Sequence, residues 1–214
     1  MSMQPLSLID TVIIQFDQGL RTLFGDQRQV NRPYPAEQVA NIPLTATEKT
    51  HIGGLMRVNH AGEICAQALY QGQALTAQLT HVCEQMEQAA EEEEEHLAWC
   101  EQRLAEINAH VSYLNPIWFL GAFTMGAVAG WCGDRWSLGF VVETENQVVR
   151  HLQDHIRRLP VHEQRTRVIL QQMQEDEAHH AQQAMDAGAQ QFPHWIKQIM
   201  HTLSKVMTST AYYV

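Results

Sequence analysis

Basic side chains are scarce in this sequence: 14 Lys and Arg stand against 24 Asp and Glu, for a formal net charge of -10. That balance argues against a nucleic-acid partner, whose backbone needs a basic face. Cysteine is sparse too, and Cys65, Cys83, Cys100 and Cys132 show none of the short paired spacings of zinc or redox sites. They read as small buried apolar residues in a reducing compartment rather than as disulfides. Met1 to Gln27 lacks the basic start and unbroken apolar block of a signal peptide. The sharpest local deficit is of charge, because no Asp, Glu, Lys or Arg lies between Glu106 and Asp134. The apolar part of that stretch, Tyr113 to Cys132, is long enough to raise the question of a membrane span. Yet Gly121, Ala122, Gly126, Ala127, Ala129 and Gly130 dilute its hydrophobicity and suit close helix packing. The expectation is a half-buried helix, running on into the next one, whose exposed side touches lipid or an apolar ligand; plain core burial is the alternative.

What is present is one arrangement, twice: a lone glutamate followed about thirty residues later by Glu-x-x-His. The first copy is Glu63 with Glu93 and His96, and the second is Glu145 with Glu177 and His180. Helical residues i and i+3 share a face, so each pair aims a carboxylate and an imidazole at one point. Four carboxylates and two imidazoles form the ligand set of a di-iron or di-manganese centre in a four-helix bundle. Spacing supports that reading. In an antiparallel hairpin, residues at one height are equidistant from the turn; the midpoints are position 78, at Gln78-Leu79-Thr80, and position 161, beside the helix breaker Pro160. A third match, Glu48 with His51, lies 15 residues before Glu63 and reads as an exposed pair at a helix start, with Thr45 or Thr47 as cap.

Periodicity chooses among neighbouring acids. Around Glu93 the apolar stripe runs Val82, Met86, Ala89, Leu97, Cys100, Leu104 and Ile107, whereas Glu91, Glu94 and Glu95 fall off it and read as solvated. Glu92, four residues before His96, is a weaker candidate ligand. Glu145 is flanked by Leu138, Val141, Val142, Val148, Val149 and Leu152, and Glu177 lines up with Leu170, Met173, Ala181 and Ala184, while Asp176 and His179 sit about a third of a turn away. A carboxylate on a core stripe is costly without a compensating metal or partner.

The fold predicted is all-α: a ferritin-like four-helix bundle with added amphipathic, membrane-contacting helices. Residues 1–45 form an N-terminal amphipathic helix and linker, 46–190 the bundle with 107–133 as its apolar segment, and 191–214 a C-terminal amphipathic helix. Bundle helices are expected near 47–77, 82–109, the Glu145 region to 159, and 162–187. The N-terminal stripe Ile9, Val12, Ile13, Phe16, Leu20, Leu23 and Phe24 can lie on the bundle or on a membrane surface, and Gly25 to Pro43 reads as an extended linker. The C-terminal stripe Phe192, Trp195, Ile196, Ile199, Met200, Leu203 and Val206, with Lys197 and Lys205 off it, suits either an anionic membrane or the bundle.

Arg57-Val-Asn-His-Ala-Gly-Glu63, Glu93-Glu-Glu-His96-Leu97, the Glu145 helix and Glu177-Ala-His-His180 together resemble the bacterial demethoxyubiquinone hydroxylases of ubiquinone biosynthesis over most of the chain. The resemblance implies a di-iron monooxygenase that hydroxylates the ring of a polyprenylated methoxy-methyl-benzoquinol with O2. Glu63, Glu93, His96, Glu145, Glu177 and His180 are then ligands of two Fe2+ ions, with Glu93 and Glu177 or Glu145 as bridges. His151 and Tyr70 would support the ligands from about two turns away or simply pack in the core, and His60 reads as structural. The resemblance further implies a peripheral place on the cytoplasmic side of the inner membrane, a homo-oligomer, and assembly with other ubiquinone-synthesis proteins. A ligand set of carboxylates and imidazoles without thiolate suits iron or manganese. Two other readings stay open on the residues alone: a ferritin-like or rubrerythrin-like protein that stores iron or reduces peroxide, and a helical membrane adaptor whose Glu and His residues are exposed salt-bridge partners.

Overall fold

The computed structural model describes the backbone of residues 8–25, 30–77 and 79–214, with side chains described there except at positions 8, 9, 11, 12, 80–88 and 91. Ile9, Val12, Gln78, Val82, Cys83 and Met86, used in the sequence reading, therefore lie wholly or by their side chains outside the described residues. The described residues form seven helices and no strand: α1 Leu8–Phe24, α2 Ala46–Thr76, α3 Thr80–Glu106, α4 Asn115–Trp131, α5 Asp134–Arg158, α6 Gln164–Asp186 and α7 His194–Ala211. Helices α2 with α3 and α5 with α6 pack as two hairpins that face each other, the ferritin-like arrangement, while α4 lies along α2 and α7 crosses α2 and α5.

The helix starts follow local chemistry. Thr45 caps α2 reciprocally with Glu48: the Glu48 backbone N–H donates to Thr45 Oγ1 at 3.3 Å and the Thr45 N–H donates to the Glu48 carboxylate at 2.8 Å. The third Glu-x-x-His is thus a capping feature, though half-buried rather than exposed, because His51 Nδ1 meets the Tyr212 hydroxyl at 2.7 Å. Helix α6 begins two residues later than the spacing predicts, since the buried Glu163 carboxylate caps the Thr166 N–H at 2.7 Å. The same carboxylate accepts from Arg103 at 3.0 Å, and Arg103, fully buried, also reaches Thr166 and Glu106. Between the hairpins, Leu55, Met56, Trp99, Leu152, Ile169 and Met173 form the centre of the core.

Three expectations change with the tertiary structure. The apolar stretch does not run on into the Glu145 helix: the chain breaks at Gly133, whose φ of 115° is open to glycine and strained for other residues, and α5 turns back into the bundle. The extended linker is in part a strap, because Ala36 is fully buried in the core and Arg165 donates to the Ala36 carbonyl at 2.8 Å. The cysteines divide: Cys100 is buried, Cys65 intermediate and Cys132 exposed, all three as free thiols.

Helix α4 is half-buried, as its composition predicts. Its glycine face meets α2 so closely that a Cβ on Gly126 would overlap the Leu69 carbonyl oxygen, and one on Gly72 the Phe123 carbonyl oxygen. Its other face leaves Ile117, Leu120, Val128 and Trp131 exposed. No described helix is long and apolar enough to cross a membrane.

Candidate metal centre

The two hairpins carry the six residues to one level of the bundle interior. Glu63 on α2, Glu93 and His96 on α3, Glu145 on α5, and Glu177 and His180 on α6 are each at most 4% exposed. Glu63, Glu93, His96 and Glu177 present ligand atoms within 4.8 Å of one another. The arrangement has an approximate two-fold character. Glu93 sends one oxygen to within 3.3 Å of His96 Nδ1 and the other to within 3.5 Å of His180 Nδ1. Glu177 does the same, at 3.2 Å and 3.4 Å. Glu63 stands on the His96 side at 3.7 Å, and Glu145 is held by Tyr70, whose hydroxyl donates to its Oε1. Glu93 and Glu177 are thus the two carboxylates that reach both imidazoles, with Glu63 beside His96.

These groups suit cations and suit little else. Both oxygens of Glu93, Nδ1 of His96, Oε2 of Glu145, Oε2 of Glu177 and Nδ1 of His180 are buried without a hydrogen-bond partner. So many unpartnered polar atoms facing one small space would be destabilising in a core made only of protein. Burial drives the Glu63 and Glu145 carboxyls well above the usual carboxylate range, and neighbouring Glu93 and Glu177 charges add to the rise. Burial opposes ionisation of Glu93 as well, yet the Glu63 carboxyl and the two imidazoles outweigh it and hold Glu93 well below that range. All four carboxylates can be ionised together only against compensating positive charge, which bound metal would supply.

Around this cluster stand residues that the sequence reading left outside the six. His96 donates Nε2–H to Asp176 at 3.0 Å, and His180 donates Nε2–H to Glu92 at 2.7 Å, so each ring turns Nδ1 inward. Glu92 thus touches a histidine rather than joining the six. Asp176 in turn accepts from Arg32 at 2.9 Å. Glu95, read from the sequence as solvated, is 4% exposed: it pairs with Arg32 and accepts from the Asn31 N–H at 2.9 Å. The reason is nonlocal, since the strap before α2 covers that face of α3. The available signal was the i−1 acid beside Glu177, which helical periodicity alone assigns to solvent. Replacing Asp176 by alanine is expected to weaken metal binding by about ten- to a hundredfold while Asp176→Asn keeps most of the affinity, as read by competition with a chromophoric chelator.

The remaining sequence candidates are placed as follows. His151 lies against His155, the rings tilted by 59° with centroids 3.8 Å apart, and faces a groove beside α7, with burial pushing its pKa down to about 4. Its charged neighbours there are Asp154 and Arg158. His60 meets Glu101 at 3.2 Å and Asn115 at 3.3 Å, a structural tie between α2, α3 and α4. Tyr70 is fully buried, and burial with the Glu145 charge keeps its hydroxyl protonated and donating.

Residues 50–211 match the family described as "Ubiquinone biosynthesis protein COQ7". The chain is 56% identical over 213 residues to the 3-demethoxyubiquinol 3-hydroxylase of Legionella pneumophila (strain Paris), covering 99% of this chain and 100% of that one. It is 54% identical over 209 residues to the protein of the same name in Nitrosococcus oceani, covering 98% of both chains. The protein of that name in Acinetobacter baylyi is 53% identical over 206 residues, covering 96% and 97%. With both hairpins inside the matched span and its relatives aligned nearly end to end, this chain belongs to the COQ7 family of ubiquinone biosynthesis proteins.

Proposed function

We propose that this chain hydroxylates the ring of a polyprenylated demethoxyubiquinol (3-methyl-6-methoxy-1,4-benzoquinol) with O2, at two iron ions held by Glu63, Glu93, His96, Glu145, Glu177 and His180. The observation that carries the reading is an apolar cavity of about 480 Å³ between α2, α4, α5 and α7, in whose lining Glu63, Glu145 and Glu177 stand among Leu69, Phe140 and Met207. When bound, the iron pair supplies the electrons that activate oxygen for transfer to an electron-rich ring.

The chain's own residues do the rest. Val148, Trp118 and Leu203 wall the cavity and exclude water from the ring. Tyr70 fixes one oxygen of Glu145 and leaves the other facing the cluster. Asp176 and Glu92 hold the two imidazoles in the tautomer that presents Nδ1. Thr144, Gln147 and Ser204 offer the few polar groups that could orient quinol hydroxyls.

The cavity is lined by α4 and α7, whose outer faces are apolar. Leu120 and Trp131 on α4, Trp195 and Ile199 on α7, and Phe16 on α1 are each more than half exposed. A chain in this form suits peripheral attachment to the cytoplasmic side of the inner membrane, where an isoprenoid tail reaches the cavity without crossing water. Serine at Leu120, Trp131 and Ile199 together is expected to lower co-sedimentation with phospholipid vesicles at least about tenfold, since each site removes on the order of 1.5–3 kcal/mol of apolar burial. Bound metal should be unchanged. Loss of metal with the lipid binding would mean that these faces are core.

Iron storage or peroxide reduction leaves the apolar cavity without a use, and the family match favours the hydroxylase over it. The adaptor reading requires exposed ligands, whereas all six are buried. The test is a single turnover of the ferrous-loaded chain with reduced demethoxyubiquinone and labelled oxygen, followed by mass spectrometry of the quinone. One labelled atom in the ring is the expected result; oxidised iron with unchanged quinone would overturn the assignment.

A further inference from the structure

A second cavity of different chemistry approaches the same cluster and shares no lining residue with the first. It encloses about 370 Å³ between α2, α3, α5 and α6, with Tyr70 and His180 on its inner side; Glu92, Gln183 and Asp186 make it the more polar of the two, while apolar residues, Leu138 and Val141 among them, line the rest. His180 is 4% exposed, and its Nδ1 is a buried atom without a hydrogen-bond partner, aimed past this cavity at Glu93 and Glu177. Glu92, whose side chain is 37% exposed, spans from the His180 ring to the opening. Asp186 lies exposed farther out, within hydrogen-bond reach of Gln182 at 2.8 Å.

We infer that this polar cavity is the route by which hydrated divalent metal reaches the centre, with Asp186 and Glu92 as successive carboxylate stations and His180 as the ligand met first. The inference rests on the reading of the six buried residues as a metal centre. A hydrated dication entering by the apolar cavity would shed its water against the exposed Ile117, Leu203 and Val206, which return nothing for the lost solvation, before it met the buried Glu63, Glu145 and Glu177 of the same lining. Through the polar cavity it exchanges waters one at a time for carboxylate oxygens, so charge stays compensated along the way. The two openings also divide the traffic. A quinol with its tail in lipid fills the apolar side, and the polar side remains open to water and to cations.

The experiment follows Co2+ loading of the metal-free full chain by stopped-flow absorbance, a readout independent of turnover. Asp186→Asn removes only a charge, and the loading rate is expected to fall about tenfold at low salt, converging on the unmodified rate at high salt as the charge is screened. Ala89→Leu narrows the polar cavity and should slow loading at every salt concentration. Gly121→Leu projects into the apolar cavity, where an added Cβ meets nothing within 4 Å, and should load at the unmodified rate. Unmodified rates in both polar-side variants, or slowing by Gly121→Leu in their place, would overturn the route. The end point separates the two claims: two Co2+ per chain in the unmodified protein supports the centre itself, and fewer counts against the centre and the route together.

Discussion

Glu177→Ala is expected to lose the stable metal pair and to depress single-turnover ring hydroxylation roughly a thousandfold, equivalent to about 4 kcal/mol of barrier. Its two oxygens lie 3.2 Å from His96 Nδ1 and 3.4 Å from His180 Nδ1, and without them Glu93 alone reaches both imidazoles. Metal analysis and product mass spectrometry on the same sample give the two readouts. A companion substitution reverses sign with metal. Burial raises the Glu145 carboxyl, so in the metal-free chain at neutral pH it resists an ionisation that the unfolded chain completes freely. A group raised in this way penalises folding increasingly as pH climbs above the unfolded value of about 4.3, and not below it. Glu145→Gln should therefore stabilise the metal-free protein by ~1–3 kcal/mol at pH 7, lose that gain near pH 4, and destabilise the metal-loaded protein. Thermal melts with and without ferrous ion decide it; destabilisation in both forms would make Glu145 an ordinary core partner of Tyr70.

The second large effect lies away from the chemistry. Gly126→Leu places a side chain where α2 and α4 touch through their backbones, against the Leu69 carbonyl. Because backbone yields less than a flexible side chain, the helices must separate, at about 3 kcal/mol or more. For a chain of this size that is roughly 6–12 °C in Tm. Gly121→Ala, one turn and a half away with open space around it, should be neutral. Since α4 forms one wall of the apolar cavity, quinol affinity should suffer in Gly126→Leu before metal content does.

How much of this was legible depends on the range of the forces involved. Glu93 was separable from Glu94 because a core stripe is a local, periodic property, and the hairpin geometry was legible because equal distances from two turns are set by chain length. Glu95 was misread for the opposite reason. Its burial is produced by Asn31 and Arg32, more than sixty residues earlier, docking over α3. Asp176 lies off the core stripe of its own helix and Glu92 stands near its stripe as a weaker candidate ligand; they become partners of His96 and His180 only when α3 and α6 face each other.

The amino-acid sequence by itself determined the all-helical class, the two Glu-Glu-His sets on core stripes and the absence of charge along α4, since each follows from neighbours within a few turns. Only the tertiary structure decided that Asp176 and Glu92 orient the histidines, that the chain breaks at Gly133, and that one cluster faces an apolar cavity on one side and a polar cavity on the other. Cavities belong to no single helix. They are what remains between helices whose close approach, at Gly72 and Gly126, is set by packing rather than by pattern.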